Sequence, residues 1–197
     1  MKRSYQVLVF LALAGVVFAQ SESARFAERL SEAALSLTEQ TVVYDPGYYA
    51  IAYPGGDVPS DRGVCSDVII RSYRAMDIDL QKEVYEDMLA HFELYPDIWG
   101  LSRPDSNIDH RRVPNLMKYF ERYGKQKFIS SNANDYQSGD IVCWNLGGAV
   151  THIGIIVSRK SDDGLRPMVV HNIGGGQVLE DCLFEFRIIA HYIYQGK

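Results

Sequence analysis

The hydrophobic period of the chain changes partway along, and that change restricts the fold class more than any other feature. Residues 22 to about 40 place Phe26, Leu30, Ala33 or Ala34 and Leu37 on one helical face. Val64 to about Met76 does the same with Ile69, Tyr73 and Met76. Further helices are predicted within Leu80–Leu94 and over Pro114–Tyr123, the latter with proline in its first turn, where a missing amide donor costs nothing. Later segments read differently. Asp140–Trp144, Thr151–Ser158, Pro167–Asn172 and Arg187–Tyr194 are short β-branched or aromatic runs separated by glycine and charged turns. Helices followed by a strand meander predict an α+β domain with an antiparallel sheet.

Two stretches break the pattern. Tyr44–Gly63 is dense in Gly, Pro, Asp and Tyr, which predicts an ordered loop with one short strand at Tyr48–Tyr53. Tyr95–Val113 reads as a long surface loop of the kind that often carries function. With 47% hydrophobic and 23% charged residues, the chain has the composition of one ordinary globular domain. A net charge of −5 and a pI near 5.5 argue against nucleic acid as a partner, because phosphate binding needs clustered positive charge.

The first residues have the order of a secretory signal: Lys2 and Arg3, an apolar run from Val7 to Phe18, and small residues at Val17 and Ala19. Residues 1–19 are therefore expected to be a cleaved signal peptide, residues 20–43 an N-terminal helical segment, and residues 44–197 the functional domain. The apolar run is shorter than the roughly 20 residues of a spanning helix, and no later segment reads as one, so no stable membrane span is expected after cleavage. Three cysteines in an exported chain cannot all pair internally. A Cys143–Cys182 pair would leave Cys65 as the free thiol, although connectivity cannot be read from sequence.

Cys65 stands where a glycine-containing loop turns into the apolar helix VCSDVIIRSYR. A helix start supplies unpaired amides and a dipole that lower a thiol pKa, and the same amides can receive a developing oxyanion. The nucleophile needs a base. His152 opens the apolar run HIGIIV, and alternation puts His152, Gly154 and Ile156 on one face, with open space beside Gly154. The next run, PMVVHN, brings His171 or Asn172 to a comparable height as the group that orients the base; alternation allows only one of them on the site face, and His171 is preferred.

Around this trio lie candidate substrate contacts. Asp61 and Arg62 sit close to Cys65 in sequence, positioned either to recognise a peptide terminus or to form an ion pair holding the loop. The run DHRR offers His110, Arg111 and Arg112 for binding carboxylates, or alternatively a buried arginine tying the loop down. His110 is also a rival base. No metal or cofactor is expected, since the chain lacks close-spaced ligand pairs.

The order of cysteine on a helix and histidines on two successive strands resembles the NlpC-type cell-wall cysteine peptidases, a papain-like α+β superfamily. SGDIVCW and HIGIIV look like that family's Gly-Asp strand and histidine strand. The combined runs YPGGDVPSDRGVCSDVIIRSYR, DHRRVPNL, GDIVCW, THIGIIV and VHNIG are similar to a bacterial domain-of-unknown-function family, number 1287, related to those peptidases. The resemblance implies a papain-like fold over residues 44–197, with catalytic Cys65, His152 and His171. It also implies a periplasmic or secreted bacterial amidase or peptidase acting on peptidoglycan stem peptides. The superfamily's aspartate before the cysteine and Ser-Gly after it are replaced here by Val64 and by Ser66 and Asp67, so its substrate contacts do not transfer. A non-catalytic wall-binding module and an acyltransferase are the alternatives on the same scaffold.

Overall fold

The computed structural model describes residues 22–197. The expected signal peptide, residues 1–19, lies outside the described residues. Helix α1 (residues 22–37) buries Leu30, Ala34 and Leu37, with Phe26 packed against the same core. It lies against the sheet that follows: Ser31 Oγ accepts from the Ser158 amide at 2.9 Å. A side chain at Gly139 would meet the Ala27 backbone at 2.8 Å, and Gly139 also has φ +84°, so only glycine fits this crossing.

After α1 come β1 (Val43–Tyr44) and β2 (Arg62–Gly63), a short parallel pair that closes the Tyr44–Gly63 loop. Tyr48–Tyr53 is not a strand, contrary to expectation. Side chains take the backbone groups that a neighbouring strand would have used: Asn107 Oδ1 accepts from the Ile51 amide, and Gln81 Nε2 donates to the Ala52 carbonyl.

Helices α2 (Cys65–Arg74), α3 (Leu80–His91) and α4 (Val113–Tyr123) follow, with a 3-10 turn over Asp109–Arg111 between the last two. Asp67 reaches back to accept from the Val64 amide at 2.7 Å, satisfying one of the open donors at the start of α2. Gly124 ends α4.

The sheet contains β3 (Lys125–Gln126), β4 (Ile141–Gly147), β5 (Val150–Lys160), β6 (Pro167–His171), β7 (Val178–Glu180) and β8 (Arg187–Ile193). Its spatial order is β3-β8-β4-β5-β6-β7, and every pairing is antiparallel. The molecule is thus an α+β protein. Its β5 residues divide by parity: Ile153, Ile155 and Val157 join the core formed with α2, and Ile156 joins a second core with Val142, Trp144, Val169 and Cys182. Among the described residues, no helix is long and apolar enough to cross a membrane.

Candidate active site

Cys65 is the first residue of α2 and is only 6% exposed. Its thiol faces the backbone N–H of Ile153, the residue after His152, so helix start and histidine strand meet at the sulfur. Burial pushes the thiol up to about 11, and the nearby Asp67 carboxylate pushes the same way. The Ile153 and Ser66 amides pull it down by less. The lowered pKa expected from the helix start is therefore corrected: desolvation outweighs the dipole at this depth.

His152 and His171 come together across β5 and β6. His152 Nε2 lies 2.8 Å from His171 Nδ1, and His171 Nε2 lies 3.0 Å from Glu180 Oε2 on β7. The registers explain this. Val169 pairs with Glu180 and His171 with Val178, so His171 and Glu180 are diagonal neighbours on one face of the sheet. The space beside Gly154 is filled by β6: a Cβ there would meet Val169 Cγ1 at 2.7 Å and His171 Cβ at 3.2 Å. His152 also packs on Trp144, its cross-strand partner, with ring centroids 5.8 Å apart.

The chain of bonds defines proton positions. A carboxylate oxygen only accepts, so His171 carries its proton on Nε2 and presents Nδ1 as an acceptor. His152 then donates from Nε2, and its Nδ1 keeps a free lone pair. Both rings are held neutral. Burial takes His152 down to about 3, helped by the like charge of a protonated His171, and burial also holds His171 below the ordinary histidine value despite Glu180. Among the described residues, Cys65 Sγ makes no hydrogen bond to an imidazole: Cys65 packs with Ile153 on the α2 face of β5, whereas His152 lies on the opposite face with Trp144 and His171.

Asn172, the alternative orienting residue, points the other way. Its Nδ2 donates to the Gly63 carbonyl at 3.2 Å, bracing the loop that leads into Cys65. Glu180 escaped sequence reasoning because a three-residue strand after a glycine run leaves no periodic signal. Tyr44 escaped as well. It sits near enough to Cys65 for a thiolate to raise its hydroxyl pKa, after the larger effect of burial.

The proposed substrate contacts make bonds within the protein. Arg111 is turned inward, donating to Asp67 through Nε and Nη2, each at 2.9 Å, and to the Gly47 and Asp45 carbonyls. Arg112 holds Asp109 at 2.8 Å and lies 4.0 Å above the Trp99 ring. His110 is buried, with Nδ1 lacking a partner. Arg111 thus ties the long loop to α2, while Arg112 lines a cavity with Trp99, Leu101 and Asn115. Arg62 pairs with Asp45 at 2.9 Å, and exposed Asp61 lies 3.9 Å from Arg62, the loop-holding arrangement. All three cysteines are free, which corrects the Cys143–Cys182 pairing: Cys143 lies in the main core and Cys182 in the second.

Fold and site together define an α+β protein with a buried helix-start thiol on one face of β5 and a His-His-Glu chain on the other. The family described as "Domain of unknown function (DUF1287)" matches residues 31–194, and the chain belongs to that family. It is similar to the uncharacterized protein YijF of Escherichia coli (strain K12), 54% identical over 157 residues, spanning 80% of this chain and 76% of that protein.

Proposed function

We propose that this protein is an exported cysteine amidase or peptidase on a papain-like, NlpC-type scaffold, cleaving amide bonds in peptidoglycan stem peptides. The observation that carries the reading is the His152–His171–Glu180 relay, which leaves a lone pair on His152 Nδ1 beside the strand residue that the Cys65 thiol faces.

In this reading, substrate binding must swing the His152 ring, which rests on the Trp144 face of β5, to the Cys65 side, where Nδ1 takes the thiol proton. The thiolate attacks the amide carbonyl, and the unpaired amides at the start of α2 hold the oxyanion. The C–N bond breaks as His152 returns its proton to the leaving amine, and water then hydrolyses the thioester. Because thiol and imidazole rest uncharged, the ion pair forms only in the substrate complex. Exported location and stem-peptide substrate rest on the signal-like first residues and on the family resemblance.

The resting neutrality and burial of Cys65 favour a second reading, a wall-binding module that kept the scaffold without the chemistry. Incubation with muropeptides separates the two. New amines from the wild type and none from Cys65→Ala, with unchanged circular dichroism, support the hydrolase; binding without release, equal in both proteins, supports the module. Transfer of the acyl group to an added amine in preference to water would make the enzyme an acyltransferase.

A further inference from the structure

The relay ends in a cluster that adds Cys182, a thiol that the hydrolysis does not use. Cys182 Sγ lies 3.5 Å from His171 Nε2, the same nitrogen that Glu180 Oε2 approaches at 3.0 Å, and the three donor atoms all fall within 4.8 Å of one another. Residues 178, 180 and 182 share a parity on and just after β7, which brings Glu180 and Cys182 to the His171 face. His171 and Cys182 are buried, whereas the Glu180 side chain is 49% exposed, so an ion can enter from solvent on the carboxylate side.

We propose that His171, Glu180 and Cys182 form a binding site for a borderline-soft divalent ion such as Zn2+, and that its occupation switches the neighbouring base off. One imidazole nitrogen, one thiolate and one carboxylate make a donor set suited to such an ion, with a fourth position left for water. Metal–ligand bonds of about 2.0–2.3 Å at tetrahedral angles separate neighbouring ligand atoms by roughly 3.3–3.7 Å. The Cys182–His171 spacing already falls in that range, Glu180 needs to withdraw from His171 by a few tenths of an ångström, and the Glu180–Cys182 spacing is within 4.8 Å. Calcium and magnesium, which demand oxygen ligands, are disfavoured.

The switch follows from proton positions. A neutral imidazole that binds metal through Nε2 carries its proton on Nδ1, so His171 becomes the donor to His152 Nε2. His152 must then carry its own proton on Nδ1, the nitrogen needed by Cys65. Each ring keeps one proton throughout; the only proton released is that of the Cys182 thiol. The inhibition rests on the hydrolase reading, whereas the metal site does not.

Co2+ titration of Cys65→Ala tests the site without any assay of activity. A single-site thiolate-to-cobalt charge-transfer band is expected, displaced by Zn2+ and lost in Cys65→Ala/Cys182→Ala. Glu180→Gln, at a half-exposed position that tolerates the change, should weaken binding by about tenfold or more. No band in Cys65→Ala, or a band that survives loss of Cys182, overturns the site. Nitrogen-15 spectra of the Cys65→Ala protein should show the His152 proton moving from Nε2 to Nδ1 on Zn2+ addition; an unmoved proton in a metal-loaded protein overturns the switch. Loss of muropeptide cleavage on Zn2+ addition, restored by a chelator and absent in Cys182→Ala, is the expected functional result. A wild type that binds metal but never cleaves would remove the hydrolase reading and leave the site standing.

Discussion

Arg111 and Asp67 face each other through two hydrogen bonds of 2.9 Å, with both side chains almost wholly removed from solvent. Asp67 also accepts from the Val64 amide, and Ser66 Oγ donates to the Arg111 carbonyl at 2.7 Å, so the pair clamps the turn on which Cys65 sits. Removing one member leaves a buried charge unpaired. Arg111→Met is expected to destabilise the protein by about 3–5 kcal/mol, read from urea unfolding. Adding Asp67→Asn should recover part of that loss, because the orphaned carboxylate is then gone. Additive losses in the double variant would show that the pair does not act as a unit.

Alkylation of Cys65 should be slow at neutral pH and climb about tenfold per pH unit, because only the thiolate reacts. With the thiol pushed up to about 11, no plateau is expected below that pH. A plateau below about 8.5, the value of a free cysteine, would mean that helix amides dominate over burial after all. Unfolding without reductant should then expose three alkylatable thiols by mass, as three free cysteines require.

On the proposed hydrolase reading, His171 and Glu180 act through His152 as positioning residues, and their variants should differ by place in the relay. His171→Ala is expected to lower kcat by about a hundredfold, comparable to loss of general base catalysis, with little change in KM. Glu180→Ala should cost less, since the half-exposed carboxylate can be replaced by water at His171 Nε2. Steady-state kinetics on muropeptides decides the order. An equal loss in both, or a loss confined to KM, would place these residues in substrate binding.

What the sequence disclosed divides along physical lines. Helix α2 and strands β4, β5, β6 and β8 were legible because each buries a periodic apolar face. β3 and β7 were not, being two and three residues long, and Glu180 was hidden with β7. Tyr48–Tyr53 was expected as a short strand, yet Asn107 and Gln81 hold its backbone from outside. The charged run DHRR suggested a ligand surface or a buried arginine; the inward turn of Arg111 follows from the burial of Asp67 on α2, a tertiary fact invisible in the loop itself. Parity at His171 and Asn172 was legible as a choice, but only the β5–β6 and β6–β7 registers decide which faces His152.

His110 gives the fold a pH dependence independent of any catalysis. It is buried beside Arg111 and Arg74, and burial, reinforced by the Arg111 charge, takes it from 6.5 down to about 4. The native state therefore prefers the neutral ring, and the unfolded chain takes up a proton first as pH falls. The stabilisation is complete above pH 6.5 and is lost progressively down to about pH 4, below which both states are protonated. At about 1.4 kcal/mol per pH unit, the loss across this window is roughly 3 kcal/mol. Urea midpoints measured from pH 7 to pH 4 should fall accordingly, and His110→Leu should flatten the slope. His152 contributes a similar decline that continues to about pH 3, so the variant keeps a residual slope. An unchanged profile in His110→Leu would mean that the folded and unfolded states protonate His110 over the same pH range.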